Sequence, residues 1–223
     1  MKSVFINIFN KAKSQWLNDI RFWIILFFVL RLYGITDPPI EMAHNWRQAF
    51  TNIVARNFLE IDSSIFYPRA IIYGNNSGVV GTEFPLLNYL IFLVSKVFGY
   101  AHWYGRLINL IVSSIGIYYF YLGVRGFVSK KLCFNATLVL ICSIWLIFSR
   151  KSMPDTFSIS LLMIGLYYGF LYFKNNNLSY LFIYGLFTSV GILCKIPGLF
   201  LLGVFVAPII RNGVLKKTTI YFL

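Results

Sequence analysis

Long apolar runs, each flanked by basic residues, constrain this chain more than any other feature. They lie at about 20–35, 106–124, 132–148, 156–173, 179–194 and 197–211. A soluble core of a 223-residue chain cannot absorb so many. In a bilayer, such runs form helices, because only helices and closed barrels satisfy their own backbone polar groups in lipid. Composition agrees: 58% of the residues are hydrophobic and the mean hydropathy is +0.71, as in a membrane chain. The net charge of +13 would otherwise suggest nucleic acid. The Lys and Arg residues lie between the apolar runs, so they are read as topology signals and no nucleic-acid partner is expected.

The basic segment Met1 to Arg21 has the charge of a signal-peptide start, but no small-residue cleavage site follows. The first apolar run is therefore read as an uncleaved span. Arg21 and Arg31 lie near its ends, where long side chains can reach the interface. The cysteines, Cys133, Cys142 and Cys194, sit within or at the end of apolar runs. An odd number placed this way suits small apolar fillers better than a disulfide framework or a zinc site.

A polar stretch of about 37–83 follows the first run. Within it, Trp46, Ala49, Phe50, Ile53, Val54 and Phe58 fall on one helical face, and Arg47, Gln48, Thr51, Asn52 and Arg56 fall on the other. This period predicts an amphipathic helix lying in the interface plane. The run Phe84 to Phe98 would be roughly 22 Å long as a helix, short of a hydrocarbon core roughly 30 Å thick. Charge bias decides its placement. If it does not cross, Arg125, Lys130, Lys131, Lys174, Arg211, Lys216 and Lys217 share the cytoplasmic side with the N-terminus. Asp37, Glu41, Glu60, Asp62, Glu83 and Asp155 then share the other side. The positive-inside rule favours that arrangement and predicts about six spans.

The expected fold is all-α: a polytopic membrane bundle of about six spans, with amphipathic juxtamembrane helices in the first outer loop. Residues 1–18 form the cytoplasmic N-terminus, 19–36 the first span, 37–105 the outer loop and 106–223 the membrane bundle. The bundle is expected to be truncated at its C-terminus, because the chain stops as another apolar run begins at Ile220. No two-fold repeat is evident, and the later spans carry almost no ionisable residue. Both points count against ion-coupled transport.

This topology gathers Glu41, His44, Arg47, Gln48, Glu83, Arg150, Asp155 and Lys195 on the outer face. Cations there can hold phosphate oxygens, and a carboxylate can activate a hydroxyl or hold a divalent metal. Plainer roles compete with these. Glu83 can cap a helix starting near Phe84, Asp155 can be the N-cap of the span that follows it, and Arg106 can anchor the interface. Trp46 and Trp103 suit an aromatic belt. His44 and His102 lack a metal-ligand spacing.

The order of several motifs resembles bacterial membrane glycosyltransferases related to the protein O-mannosyltransferases and to the aminoarabinose transferases, the GT-C class. They are Pro38-Pro39-Ile40-Glu41 with Asn45-Trp46-Arg47-Gln48; Gly81-Thr82-Glu83-Phe84-Pro85; Gly105-Arg106-Leu107; Ser149-Arg150 with Met153-Pro154-Asp155; and Lys195 with Pro197. The resemblance implies a sugar donor on a polyprenyl phosphate and an active site facing away from the cytoplasm. It implies an acid in the first loop as the catalytic base, which maps onto Glu41. Many such proteins carry an acid where this chain has Phe50, so Glu41 is the better candidate here. His44, Arg47, Gln48, Glu83, Arg150, Asp155 and Lys195 become candidate substrate-binding residues. No metal ligand is assigned, and metal use varies across the class, so a divalent metal stays an open question. The expected partners are the lipid bilayer, a polyprenyl-phosphate-linked sugar and an acceptor glycan, lipid or protein. The expected location is the bacterial inner membrane with the active face outward. A non-catalytic lipid-handling or transport protein and an inactive remnant of such an enzyme stay open as alternatives.

Overall fold

A computed structural model describes residues 16–38, 44–71, 77–81 and 83–202. The helices are α1 (Ile20–Leu32), α2 (Asn45–Glu60), α3 (Leu86–Phe98), α4 (Tyr104–Val124), α5 (Lys130–Cys142), α6 (Trp145–Phe148), α7 (Pro154–Asn175) and α8 (Leu178–Cys194), followed by a 3-10 turn at Ile196–Leu202. Extended pairing among the described residues is limited to an antiparallel bridge between Arg69 and Val79, so the fold is all-α.

Among the described residues, two helices are long and apolar enough to cross a bilayer: α4, with 21 residues, and α7, with 22. Together with the apolar helices α3 and α8 they make this an integral membrane chain. The first apolar run forms a helix of 13 residues, about 20 Å long. The run 132–148, expected as one span, breaks at Ser143 between α5 and α6. The Ser143 hydroxyl donates to the Leu140 carbonyl at 2.7 Å and accepts from the Trp145 N–H at 3.3 Å. A local side-chain bond of this kind competes with the helix ladder.

α4 is the central mast, and its inward face is small and polar. Arg106, Asn109, Ser113 and Gly116 recur at helical spacing and are all buried. Gly116 brings α4 against α7: a Cβ there would lie 2.5 Å from Ser160 Cβ and 2.7 Å from Ser160 Cα. α7 in turn meets α8 through the Ser158 hydroxyl, which donates to the Gly191 carbonyl at 2.7 Å. Lipid offers no hydrophobic drive for helices to associate, so small residues and interhelical hydrogen bonds hold such contacts.

Two expectations about side-chain direction fail. Arg31 does not reach out to the interface. It is 4% exposed, and its Nη2 donates to the Ile141 carbonyl at 3.0 Å, a group near the end of α5 that has no partner within its own helix. On the polar side of α2, Arg56 stays exposed but the residues between it and Arg47 face the protein. Gln48, Thr51 and Asn52 are buried, whereas Trp46 is 69% exposed. Only the far end of its apolar face turns inward: Val54 and Phe58 pack with Ala70, Val80 and Phe92. A helix in lipid can bury polar groups where the protein supplies partners, and α4 and the 149–153 loop supply them to Gln48.

Candidate active site

Four charged side chains from distant parts of the chain meet at one end of the bundle. Arg47 lies in the first turn of α2, Glu83 just before α3, Asp155 in the first turn of α7 and Lys195 just after α8. Arg47 Nη2 is 3.3 Å from Asp155 Oδ2, and Lys195 Nζ is 3.5 Å from Asp155 Oδ1. Lys195 also forms a close ion pair with Glu83. All four side chains are part-exposed, between 21% and 37%. The network can therefore exchange partners with a ligand without first paying the full penalty of a buried ion pair.

Local structure explains the placement. Met153 is the N-cap of α7 and Pro154 opens the helix, so Asp155 lies inside the first turn, where the helix dipole favours a negative charge. Its side chain turns to Arg47 and Lys195 instead of capping. Glu83 does not cap α3 either, since Pro85 holds that position without a side-chain bond. The Phe84 N–H donates to the Leu193 carbonyl at 3.1 Å. That bond seats the segment carrying Glu83 against the end of α8, next to Lys195.

A cleft of about 420 Å³ opens beside this network. Arg47 and Glu83 form its charged side, and Trp46, Phe50, Phe84 and Pro85 are among its apolar walls. A charged rim over an apolar wall matches a ligand with an anionic head and a hydrocarbon tail.

The other candidates are placed differently. Gln48 is fully buried; its Oε1 accepts from Arg106 Nε at 3.3 Å and from the Ser152 N–H at 3.2 Å. His44 precedes α2 in the left-handed region, at φ 61°, and its ring lies 5.5 Å from that of Phe148. Arg150 does not join the network: its Nη2 donates to the Gly34 carbonyl at 3.0 Å, and it lines a separate apolar groove with Phe27, Arg31 and Ile147. Glu41 lies outside the described residues.

Residues assigned lesser roles from sequence organise the site. Arg106, expected as an interface anchor, is 0% exposed. Its Nη1 donates to the carbonyls of Asp37 at 2.7 Å and Ile35 at 3.2 Å, and its Nη2 to that of Pro38 at 3.5 Å. His102 Nε2 lies 3.0 Å from the Thr36 carbonyl, which can only accept, so this nitrogen carries the proton. One turn along α4, Asn109 Nδ2 reaches the Lys151 carbonyl at 2.7 Å and Thr156 Oγ1 at 3.0 Å. α4 thus clamps both the chain leaving α1 and the loop entering α7. The sequence signal for Arg106 was the Gly105-Arg106-Leu107 motif. Gly105 is needed because a Cβ there would lie 2.1 Å from Ser152 Oγ.

Among the described residues, no three His, Cys, Asp or Glu side chains gather as metal ligands. Glu83 and Asp155 both face the Lys195 ammonium, which holds the position between them. As donors they do not fit a resident divalent ion without displacing that lysine.

The family model for dolichyl-phosphate-mannose-protein mannosyltransferase matches residues 82–223. The chain belongs to this family. The match includes Glu83, Arg150, Asp155 and Lys195, while Glu41, His44, Arg47 and Gln48 precede it. Comparison with curated proteins and with solved structures finds no match. Membership of this mannosyltransferase family, with the apolar helices, supports a polyprenyl-phosphate-dependent glycosyltransferase acting at a membrane face. The ion-pair network joins residues inside the matched region to Arg47, which lies outside it.

Proposed function

We propose that this chain transfers a sugar from a polyprenyl-phosphate carrier to an acceptor hydroxyl, at the membrane face where Arg47, Glu83, Asp155 and Lys195 meet. The observation that carries the reading is that convergence, beside a cleft with a charged rim and an apolar wall. The carrier phosphate enters sideways from the outer leaflet of the bacterial inner membrane, in a bundle of about six spans oriented by the positive-inside rule. Its tail lies along the Phe50 and Phe84 side of the cleft. Arg47 and Lys195 grip its oxygens, and Glu83 and Asp155 hold those two cations in position until the phosphate arrives.

Glu41 is the base in this reading. Its carboxylate takes the proton from the acceptor hydroxyl as that oxygen attacks the anomeric carbon. The bond from that carbon to the phosphate oxygen breaks, and its electron pair stays on the phosphate. The cations stabilise the charge that develops there. A single displacement inverts the anomeric centre. Arg106 and His102 fix the carbonyls of residues 35–38, just before Glu41. They are positioning residues, because they reach the backbone and not the substrate.

The test is Glu41→Gln in the intact protein, in nanodiscs supplied with a polyprenyl-phosphate sugar. Turnover is expected to fall by about 10²- to 10⁴-fold, the span of a lost general base, with lipid binding retained. Near-normal turnover removes Glu41 as the base. Carrier-lipid binding by wild type without any turnover favours the lipid-handling alternative.

A further inference from the structure

At the other end of the bundle, a cleft of about 550 Å³ lies where α1 begins, α4 ends and α5 begins. Its charged lining is Arg21, Arg125 and Lys130 against a single carboxylate, Asp19. Asp19 is already engaged. Arg21 Nε lies 3.1 and 3.0 Å from its two oxygens, and Arg21 Nη2 lies 2.6 Å from Oδ2. These bonds hold its carboxyl below the ordinary value; Lys130 adds only a weaker, longer-range attraction. The cleft therefore keeps an excess of two positive charges, carried on Arg125 and Lys130. Both are exposed, and no carboxylate among the described residues forms an ion pair with either.

Three features point to the occupant. The 21 residues of α4 span about 31 Å, so a cleft at its far end lies at the opposite headgroup level from the Asp155 network. Arg21 begins α1, and Arg125 and Lys130 flank the short turn from α4 to α5, so the cations line a concave seat between α1 and that turn. Tyr118 and Tyr121 line the wall, offering rings to the glycerol backbone of a lipid. Basic pockets between spans are the usual seats for anionic headgroups.

We propose that this cleft binds the phosphodiester headgroup of an anionic membrane lipid, at the membrane face opposite the transfer site. The site is independent of the sugar-transfer reading, because it shares no residue with it and its test measures lipid retention, not turnover.

The experiment is native mass spectrometry of the full chain, delipidated and then titrated with phosphatidylglycerol, cardiolipin or phosphatidylcholine. Wild type is expected to retain an anionic lipid under conditions that strip phosphatidylcholine. The double variant Arg125→Gln, Lys130→Gln is expected to bind about thirtyfold more weakly, the loss of two basic contacts at a membrane surface. The control Lys131→Gln, Lys174→Gln removes equal charge outside the cleft lining and should retain the lipid as wild type does. A thermal melt confirms that each variant is folded. Equal retention by wild type and the Arg125, Lys130 variant overturns the site. Equal losses in both double variants overturn it as well, reducing it to bulk charge. Displacement of the lipid by millimolar inorganic phosphate overturns the lipid as its occupant.

Discussion

The two ends of α4 each carry an arginine, and they are used in opposite ways. Arg106, near the start, is fully buried and donates to the carbonyls of Ile35, Asp37 and Pro38 and to Gln48. Arg125, just past the end, is exposed and faces a cleft. The surrounding charges differ in the same sense. At the Arg106 end, Arg47 and Lys195 are matched by Glu83 and Asp155. At the Arg125 end, cations outnumber the one carboxylate. Matched charges on part-buried side chains fix geometry, which bond-making chemistry needs. Unmatched exposed cations collect anions but impose little order. One helix thus joins an organised end to a collecting end.

Replacing the two arginines should break this comparison most sharply. Arg106→Met takes the charged donor from the carbonyls of Ile35, Asp37 and Pro38 and leaves Gln48 Oε1 with the Ser152 N–H alone, and is expected to cost about 3 kcal/mol or more, since bonds to a charged group are the stronger kind. Arg125→Met should change stability by less than about 0.5 kcal/mol, as for an ordinary surface site. Thermal melts of both variants in the same detergent decide it. Equal melting temperatures would mean that Arg106 is not the structural member described.

Within the organised end, Lys195→Met should leave the fold intact, because every side chain of the network keeps some solvent. Transfer is expected to fall about hundredfold, the cost of losing one preorganised stabiliser of developing charge. The double variant Lys195→Met, Glu83→Gln relieves the unmatched carboxylate and should not restore turnover. Recovery in that double variant would show that Lys195 serves only to neutralise Glu83.

How much of this was legible in the sequence depends on what fixed each residue's direction. Glu83, Asp155 and Lys195 sit at the ends of apolar helices and Arg47 begins the amphipathic helix of the outer loop, and charge bias alone places such residues at one membrane face. Their meeting follows from that placement and from helix packing. Arg150 was grouped with them because Ser149 to Asp155 joins two spans on the outer face and matches a motif of the resemblance. The intervening loop, held by Asn109, turns it toward Gly34 instead. The periodicity of α2 marked two faces but not which one met the protein, because in lipid a polar face can be the buried one. Arg31 and Arg106 were read as interface residues on the premise that a charge near a helix end seeks water. Each finds backbone carbonyls instead, and nothing in the local sequence announces those partners. The break at Ser143 was equally hidden, since the residues around it read as one continuous apolar run.

Between the two ends, α4 packs closely on α7 at Gly116. Gly116→Val would drive a side chain into Ser160, whose Cα lies 2.7 Å from the position of the first added carbon. Backbone cannot yield as a flexible side chain can, so the expected loss is about 1–3 kcal/mol, as for other overpacked cores. Gly185→Ala, where an added carbon meets nothing within 4 Å, is the matched control and should be near neutral. A larger loss at Gly185 than at Gly116 would mean that α4 and α7 do not approach as described.

The smallest effect belongs to Asp19 at the collecting end. Its Oδ1 accepts from the Arg21 N–H at 2.9 Å, capping the first turn of α1. Asp19→Asn keeps a capping side chain but removes the charge facing Arg21, so the expected cost at pH 7 is at most about 1 kcal/mol, as for an exposed ion pair. The sign of its pH dependence follows from linkage. The folded carboxyl titrates below its ordinary value of 3.8, chiefly because of the hydrogen bond from Arg21. Its contribution is therefore complete above the unfolded value and is lost as pH falls through the folded one. Melting temperatures of wild type and Asp19→Asn should differ slightly at neutral pH and converge in acid. An Asp19→Asn variant more stable than wild type at neutral pH would reverse the sign and show that the Asp19 carboxylate is held at a cost.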